Sequence, residues 1–486
     1  MNFTYETFGL LAYLAIIAYV IYSLYRSSDE EKTARMTAKG SALGTRRFGV
    51  FGLASMLAIT MVGPADFLAL SQNGFNYGVL WSIFPLGAAL ALLVSGLFVV
   101  KRLEAKLFTG VKTTGEIFGR STGRSSQFIV GLVVTIQTIA FSGVLIIAGG
   151  QVLEVFIGID KHLGMVLTSL VVGFYTSYAG MDGVTRTDLV QRYIIAFILL
   201  VISLSVLSLL FSVDTSNVEL FEKDDFDTDF PLKTILAYFS AYFFGELMLP
   251  TYTQRVFIAN TSNTAKKGFL WGAAFLATWY IVITFSGSLA EAIPSLRTSM
   301  HDDRMVVLDL ARYHFDDGTV LWGIMGAFIF AGLLALIHST YDSFLNVGSS
   351  SFANDVIGVF NDDDKLLYQT TRQMSIAISA LGLIVAIWFD NIIDALIFGY
   401  TIWVPSLLAP LLYILLVSKN NKLDSRVFWF SFVAGSTTWL LLEYVIKTDG
   451  WVSFIPSIVW GLVINATCLH VGTRVIATLN EDAQYE

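Results

Sequence analysis

Long apolar runs separated by short polar loops follow one another along the whole chain. Most runs reach about 20 residues, the length that an α-helix needs to cross the hydrocarbon core of a bilayer. By this criterion the pattern predicts about 13 membrane-spanning helices and an all-α integral membrane protein. Their predicted limits are 7–25, 48–72, 77–101, 125–157, 162–181, 188–213, 233–258, 268–295, 318–348, 371–390, 392–417, 427–446 and 452–473.

Two of the predicted helices contain residues that break helices. Gly63 and Pro64 interrupt the second run, and the stretch GELMLP at 245–250 interrupts the seventh. Helices 2–6 and 7–11 form two blocks of five, and an odd number of spans gives the blocks opposite orientations. Interrupted helices at corresponding positions of two inverted halves indicate a transport site near the membrane midplane, because each break frees backbone carbonyls to face a cavity.

The same count divides the chain into five segments. Residues 1–47 hold an extra N-terminal helix and a cytoplasmic loop, and residues 48–213 form the first inverted repeat. An acidic extracellular loop at 214–232 precedes the second inverted repeat at 233–418. Residues 419–486 hold two C-terminal helices and a tail.

Composition and charge agree with a membrane protein. Of 486 residues, 55% are hydrophobic and 14% are charged, against about 25% charged residues in soluble domains. Lys and Arg cluster in alternate loops, which predicts a cytoplasmic side for those loops, an N-terminus outside and a C-terminus inside the plasma membrane. The positions of Lys and Arg are explained by the membrane topology and do not indicate a nucleic-acid surface. The expected partners are therefore the lipid bilayer and small solutes and not nucleic acid.

A polar cluster interrupts one of the apolar runs. The stretch ALIHSTYDSFLN at 335–346 contains Ser339, Thr340, Asp342 and Ser343. Hydroxyls and a carboxylate on one helix face, beside carbonyls freed by a broken neighbour, are suitable oxygen ligands for Na⁺. Back-bonding to helix carbonyls explains a serine or threonine equally well, but an acid within a span indicates function. His338 is more typical of a packed histidine than of a proton relay.

Two further polar positions leave alternatives open. In YAGMDGVTRTDLVQ, residues 178–191, a glycine-rich turn is expected to open a helix. Asp188 would either cap this helix, with Gln191 completing a capping box, or bind an ion. Arg255 is expected at the cytoplasmic end of its helix, as a topology anchor.

Three stretches together resemble the sodium:solute symporter family, which includes sodium–proline and sodium–sugar carriers. AGMDGVTRTDLVQ resembles its Gly-Gly…Thr-Asp-x-x-Gln signature, and ALIHSTYDSFLNVGSSSFANDV resembles its Ser-Thr-x-x-Ser helix, which ends in Ser…x-x-Asp. QRVFIANTSNTAKKG resembles its Gln-Arg…Ala…Ala-x-x-Gly turn. The resemblance implies two inverted five-helix repeats of the leucine-transporter type, with one N-terminal and two C-terminal extra helices. It also implies sodium-coupled import of a small polar organic solute by alternating access, and not an enzyme.

The resemblance further implies a set of sodium ligands. One sodium ion would be held by the carbonyls of Ile59, Val62 and Leu336 and the hydroxyls of Ser339 and Thr340. Some members of the family bind a second sodium ion, and the matching positions here are Asp188, Ser339, Asp342 and Ser343. The family's sialic-acid carriers have serine where this chain has Asp342.

An acid beside each helix break indicates the solute. Asp66 and Glu246 would both cost roughly 2.5–3.5 kcal/mol at membrane depth without a partner or water. Because no Lys or Arg is expected centrally in any span, a cationic or amine-bearing solute would supply the missing charge. The expected substrate-binding residues are Asp66, Gln72, Tyr242, Glu246 and Trp403. Alternatives are a neutral or zwitterionic solute such as a sugar or amino acid, and a symporter-like membrane sensor.

Overall fold

The computed structural model describes residues 5–27, 33–34, 36–44, 48–61, 64–212, 231–293, 297, 306, 320–389, 391–446 and 455–485. This part of the chain is helical, with an isolated bridge between Phe48 and Ala259. Its α-helices are α1 (Tyr5–Tyr25), α2 (Ala38–Leu43), α3 (Val50–Met61), α4 (Pro64–Tyr77), α5 (Leu86–Val94), α6 (Thr114–Ser121), α7 (Arg124–Ile157), α8 (Lys161–Ser212), α9 (Pro231–Glu246), α10 (Pro250–Ile258), α11 (Ser262–Ala292), α12 (Val320–Ser351), α13 (Asp364–Phe389), α14 (Ile392–Trp403), α15 (Ala409–Leu412), α16 (Ser425–Leu440) and α17 (Ser457–Tyr485). Short π-helical segments extend α5, α12, α14, α15 and α16 at their C-terminal ends.

Within these residues, nine helices are long and apolar enough to cross a membrane. They confirm an all-helical membrane protein. The predicted number of 13 spans and the two inverted repeats stay predictions, because several predicted spans correspond to shorter helices on either side of a break. The five segments predicted from the sequence also stay predictions.

The break predicted in the seventh run is confirmed. Residues 62 and 63 lie outside the described residues, between α3 (Val50–Met61) and α4 (Pro64–Tyr77), so the break at Gly63 and Pro64 stays a prediction. Helix α9 ends at Glu246 and α10 begins at Pro250, with Met248 between them at a φ of 55°. Proline is tolerated in the first turn of a helix because its missing N–H has no helical acceptor there. A positive φ is uncommon for methionine, and this one lies in the non-helical stretch between the two helices.

Helix α8 corrects the expected position of a helix start. The chain leaves helical geometry at Gly180, with φ 54° and ψ −156°, and is helical on either side of it. Glycine suits this place because it adopts a positive φ without a Cβ penalty. Asp188 lies eight residues further on, inside the helix, so its predicted role as a helix cap is wrong.

Helices α4 and α11 approach so closely that each needs glycine. A Cβ on Gly74 would lie 2.0 Å from the Thr284 carbonyl oxygen, and a Cβ on Gly287 would lie 2.0 Å from that of Ser71. The hydroxyl of Ser288 donates a hydrogen bond to the Gly74 carbonyl at 2.9 Å. Small residues that let helix backbones touch are typical of membrane helix interfaces.

Gly287→Ala is therefore expected to destabilise the protein by about 1–3 kcal/mol, the usual cost of overpacking. The measurement is the unfolding temperature of the purified protein in detergent. Gly326→Ala is the matched control, because a Cβ at that helical glycine has nothing within 4 Å. Equal effects of the two substitutions would contradict the close approach of α4 and α11.

Asp355, the aspartate of the Ser…x-x-Asp ending, joins three helices at one end of the bundle. Its Oδ1 accepts hydrogen bonds from Thr113 Oγ1 at 2.6 Å and from Gln127 Nε2 at 3.2 Å. A Cβ on Gly115 or Gly131 would come within 2.3 Å or 2.5 Å of the Asp355 side chain. The two glycines therefore let α6 and α7 close around this carboxylate.

Two basic loops meet at the same end. Lys422 Nζ donates to the Arg120 carbonyl at 2.6 Å, and the Leu423 amide donates to the Ser121 carbonyl at 3.1 Å. Arg120 Nη1 donates in turn to the Leu107 carbonyl at 2.9 Å. Basic loops mark the cytoplasmic side of membrane proteins, so we expect this end of the bundle to face the cytoplasm.

Candidate functional site

Helix α12 carries the predicted ion ligands through the middle of the bundle. It contacts α1, α7, α8 and α13, as well as α3, α4 and α10. Residues 335–346 are buried without exception. A polar stretch is therefore surrounded by protein, on a helix that contacts both predicted interrupted helices, as a site near the midplane requires.

Three of the residues predicted for the first sodium ion converge on one carbonyl. The oxygen of Leu336 accepts hydrogen bonds from Ser339 Oγ at 3.2 Å and from Thr340 Oγ1 at 3.1 Å. Such bonds are also ordinary helix back-bonding. Ile59 lies in the last turn of α3, with its side chain outside the described residues, and Val62 lies outside them altogether.

Asp342 is the most deeply buried acid in this stretch, with 0% of its surface exposed. Its Oδ2 accepts hydrogen bonds from Tyr175 at 2.6 Å and from Thr187 at 3.3 Å, both on α8. Its Oδ1 has no hydrogen-bond partner in the described part of the chain. A buried carboxylate oxygen without a partner costs free energy, and a bound cation would remove that cost.

Arg255 lies in the last turn of α10, with its side chain inside the bundle next to Ser343, the residue after Asp342. The side chain is 0% exposed, and Nη2 donates to Ser343 Oγ at 2.6 Å. Its positive charge is attracted by the carboxylates of Asp188 and Asp342. The prediction of a topology anchor is wrong, because the guanidinium is buried in the bundle, where its positive charge compensates two buried carboxylates. A guanidinium group on Ser343 also competes with the predicted second sodium ion there.

Gln191 and His338 connect this cluster to α1. Gln191 Nε2 donates to the Tyr13 hydroxyl at 2.8 Å, and the Tyr13 ring lies 5.3 Å from the His338 ring. All three side chains are buried. Gln191 therefore ties two helices together and does not complete a capping box, and the contacts of His338 fit a packed histidine.

Glu246 forms a second cluster at the break between α9 and α10. Both of its carboxylate oxygens accept hydrogen bonds from tyrosine hydroxyls, those of Tyr252 and Tyr400. The Tyr400 ring lies 6.0 Å from that of Tyr242 and 5.6 Å from that of Phe141. No salt bridge joins Glu246 to a Lys or Arg among the described residues.

The structure describes only part of the environment of the other predicted solute ligands. Asp66 is in the first turn of α4, and its side chain lies outside the described residues. Gln72 is half-buried on α4, and Trp403 is fully buried on α14 three residues after Tyr400. The structure thus brings Glu246 and Tyr242 together through Tyr400. Tyr252 and Tyr400 are not among the residues predicted from the sequence: Tyr400 stands in a mostly apolar run and Tyr252 between two threonines, and neither setting distinguishes a site residue.

A bundle of membrane helices with a broken helix beside a buried polar helix is typical of a secondary transporter. The sequence profile of the sodium:solute symporter family matches residues 42–423 of the chain. The protein belongs to this family, and sodium is its coupling ion. The family prediction made from three short motifs is therefore confirmed.

Relatives in the family differ in the solute they are named for. A sodium/pantothenate symporter of Haemophilus influenzae is 24% identical over 451 residues, which cover 89% of this chain and 90% of the relative. A sodium/proline symporter of Staphylococcus saprophyticus is 23% identical, over 77% of this chain and 74% of the relative. A high-affinity choline transporter of Drosophila melanogaster is 23% identical, over 84% and 64%. These relatives are transporters and not enzymes.

Solved structures support the fold. A Na⁺-coupled sialic acid symporter in its substrate-bound outward-open state aligns with a TM-score of 0.73 at 16% identity. The alignment covers 98% of this chain and 98% of that protein. At this identity the similarity concerns the fold alone.

Proposed function

We propose that the protein uses the sodium gradient to import a small organic solute that carries an ammonium or other cationic group. Transport would proceed by alternating access across the plasma membrane. The observation that supports this solute class is Glu246, a carboxylate at a helix break with aromatic rings around it. Carboxylates and aromatic faces together recognise quaternary and primary ammonium groups.

The charge balance around the two acidic clusters favours the same solute class. The buried guanidinium of Arg255 is directed to Ser343 and is attracted by Asp188 and Asp342. Within the described residues, Glu246 has hydrogen bonds from two phenols but no salt bridge to a basic side chain. A cationic solute would supply a positive charge at this position, and Asp66, next to the other predicted break, is proposed to face the same solute.

The solutes for which the relatives are named include ammonium compounds, but they do not identify one particular solute. Choline, which names one relative, is a quaternary ammonium cation. Proline, which names another, carries both an ammonium group and a carboxylate, so it agrees equally with the zwitterionic second candidate. Pantothenate, which names another relative, carries a carboxylate. We propose Asp66, Gln72, Tyr242, Glu246 and Trp403, together with Tyr400, as the solute-binding residues.

The proposed sodium site combines two hydroxyls with carbonyls at the first helix break. Its residues are Ile59, Val62, Leu336, Ser339 and Thr340. The convergence of Ser339 and Thr340 on Leu336 supports this proposal. Asp188, Asp342 and Ser343 remain candidates for a second sodium ion. The Oδ1 atom of Asp342, which has no hydrogen-bond partner among the described residues, supports this second site, whereas the Arg255 guanidinium bound to Ser343 argues against it.

A neutral or zwitterionic solute is the second candidate. Two tyrosine hydroxyls satisfy the Glu246 carboxylate, so this acid could hold the helix break in place without touching the solute. In that case the intramembrane acids would serve ion coupling. A membrane sensor of the same fold would bind a solute but would not accumulate it.

Uptake by the reconstituted protein tests the proposal. Liposomes with an inward sodium gradient are given labelled choline, proline or pantothenate, each with unlabelled competitors. We expect accumulation of an ammonium compound that requires sodium and that the uncharged choline isostere 3,3-dimethylbutan-1-ol does not inhibit.

Glu246→Gln should raise the half-maximal concentration of that solute by about tenfold or more, because it removes a charge-assisted contact. Asp362→Asn, at an exposed position outside the bundle, is the control. Accumulation of pantothenate or a sugar that ammonium compounds do not inhibit would exclude the proposed solute class. Binding without accumulation would favour the sensor.

A further inference from the structure

A cavity that neither Glu246 nor Asp342 lines is present where α9 and α14 meet α16 and α17. It has a volume of about 400 Å³, which is within the range of small-molecule sites. Two acids line it: Asp394 in the first turn of α14, and Glu443 in the π-helical segment after α16. No lysine or arginine of the described residues lines it. We call it the α14–α17 cavity.

Aromatic rings form much of the wall of the α14–α17 cavity. Tyr238, Phe398, Trp439 and Tyr444 contribute to it from α9, α14 and the region of α16. The Trp439 and Tyr444 rings lie 6.1 Å apart in an edge-to-face arrangement. A cavity that combines carboxylates with aromatic faces attracts organic cations through charge and through the ring quadrupole. It is also larger than a bare metal ion requires.

One hydrogen-bond donor in the wall has no partner. The side chain of Trp439 is 9% exposed, and its indole Nε1–H has no hydrogen-bond acceptor among the described residues. The indole is a donor only, and buried donors normally find an acceptor. A ligand with an oxygen acceptor would satisfy it, which neither carboxylate of the cavity does.

The position of the cavity indicates the side of the membrane on which it opens. Helix α16 begins at Ser425, beside the basic loops joined by Lys422 and Arg120. Its π-helical extension ends at Val445, roughly 30 Å away at 1.5 Å per residue. The cavity is therefore at the end opposite the basic loops, which is the outer end by the positive-inside rule.

We propose that the α14–α17 cavity is a separate outer binding site for an ammonium group on a compound that also carries an oxygen acceptor. The ammonium group would lie between Asp394, Glu443 and the aromatic rings, and the oxygen would accept from Trp439. Free small molecules and the headgroup of phosphatidylcholine both have this chemistry. The site does not depend on sodium or on Glu246, so it goes beyond the proposed function.

Binding of labelled choline to the full-length protein tests the site. The protein is placed in phosphatidylglycerol nanodiscs in potassium buffer without sodium. Tetramethylammonium and 3,3-dimethylbutan-1-ol serve as competitors, the first charged without an oxygen and the second uncharged. We expect competition by tetramethylammonium and none by the alcohol at the same concentration.

Variants assign the binding to this cavity. Asp394→Asn and Glu443→Gln should each weaken choline binding by about tenfold, because each removes one charge-assisted contact. Trp439→Phe should weaken choline but not tetramethylammonium, which has no oxygen to accept the indole hydrogen. Asp160→Asn is the control, because this exposed acid caps Leu163 and asparagine caps equally well. Unfolding temperatures show that each variant is folded.

Two further measurements distinguish this site from the proposed transport site and a free ligand from a lipid headgroup. Glu246→Gln should leave this sodium-free binding unchanged even if it abolishes uptake, so failure of the proposed function and failure of this site are distinguishable. Loss of binding in Glu246→Gln, with no effect of Asp394→Asn or Glu443→Gln, would overturn the proposal, as would the absence of any ammonium binding. Retention of phosphatidylcholine in native mass spectra, reduced by Asp394→Asn and Glu443→Gln, would identify the lipid headgroup as the source.

Discussion

Replacing Ser339 and Thr340 together with alanine is expected to raise the sodium concentration for half-maximal uptake by about an order of magnitude or more. Both hydroxyls converge on the Leu336 carbonyl of α12, a helix that contacts α3 and α4. Each lost contact to a charged group is worth roughly 1.5–3 kcal/mol, and a loss in sodium affinity is transmitted to the solute through coupling. The measurement is the sodium dependence of uptake in proteoliposomes.

Ser286→Ala is the matched control for this double substitution. Ser286 is also buried in a membrane helix and donates to the carbonyl three residues before it, at 2.6 Å, but it lies on α11 and is not a proposed ligand. Its removal should leave the sodium dependence unchanged. If the double variant has the sodium dependence of the unmodified protein, the two hydroxyls only pack the helix and the sodium site lies elsewhere.

Arg255→Met is expected to lower stability by about 3–5 kcal/mol, the usual result of breaking a buried charge network from one side. The substitution keeps most of the side-chain volume but leaves Asp188 and Asp342 without the guanidinium that attracts them. It also removes the 2.6 Å hydrogen bond to Ser343. The unfolding temperature and the folded yield in detergent measure the effect.

A second substitution distinguishes lost charge from lost packing. Asp342→Asn in the Arg255→Met background removes one of the unbalanced negative charges, so it should restore part of the stability. Arg426→Met is the control, because Arg426 is exposed and pairs with Asp424 at the surface, where ion pairs contribute little. A double variant less stable than Arg255→Met alone would contradict the proposed charge compensation.

The transport class could be predicted from short stretches of sequence because the relevant physics is local. A lipid environment requires apolar runs of a fixed length, and the Gly63–Pro64 pair and Pro250 predict breaks because a proline in a helix interior removes a backbone hydrogen bond and clashes with the preceding turn. The crowding of Ser339, Thr340 and Asp342 within one apolar run also identified the polar helix before any packing was known. These features do not depend on which helices become neighbours.

The wrong predictions concern residues whose burial and contacts depend on how the helices pack. Arg255 is near the end of a predicted span, yet it is 0% exposed, because α10 begins after a break and runs through the interior of the bundle. Asp188 follows a glycine-rich stretch, yet the helix restarts at Gly180, so the carboxylate lies well past the helix start. Distance from a span end does not give depth when the helix is broken.

The sequence by itself determined the helical membrane fold, the break before Pro250, the polar helix α12 and the family. Only the tertiary structure decided that Tyr252 and Tyr400 meet Glu246, that Arg255 meets Ser343, and that Trp439 lines a cavity with Asp394 and Glu443. Glu246 and Tyr400, Arg255 and Ser343, and Trp439 and Asp394 come from helices that are separated along the chain. Their meeting depends on how each helix is rotated and crossed against its neighbours, which packing determines and which no local pattern of residues encodes.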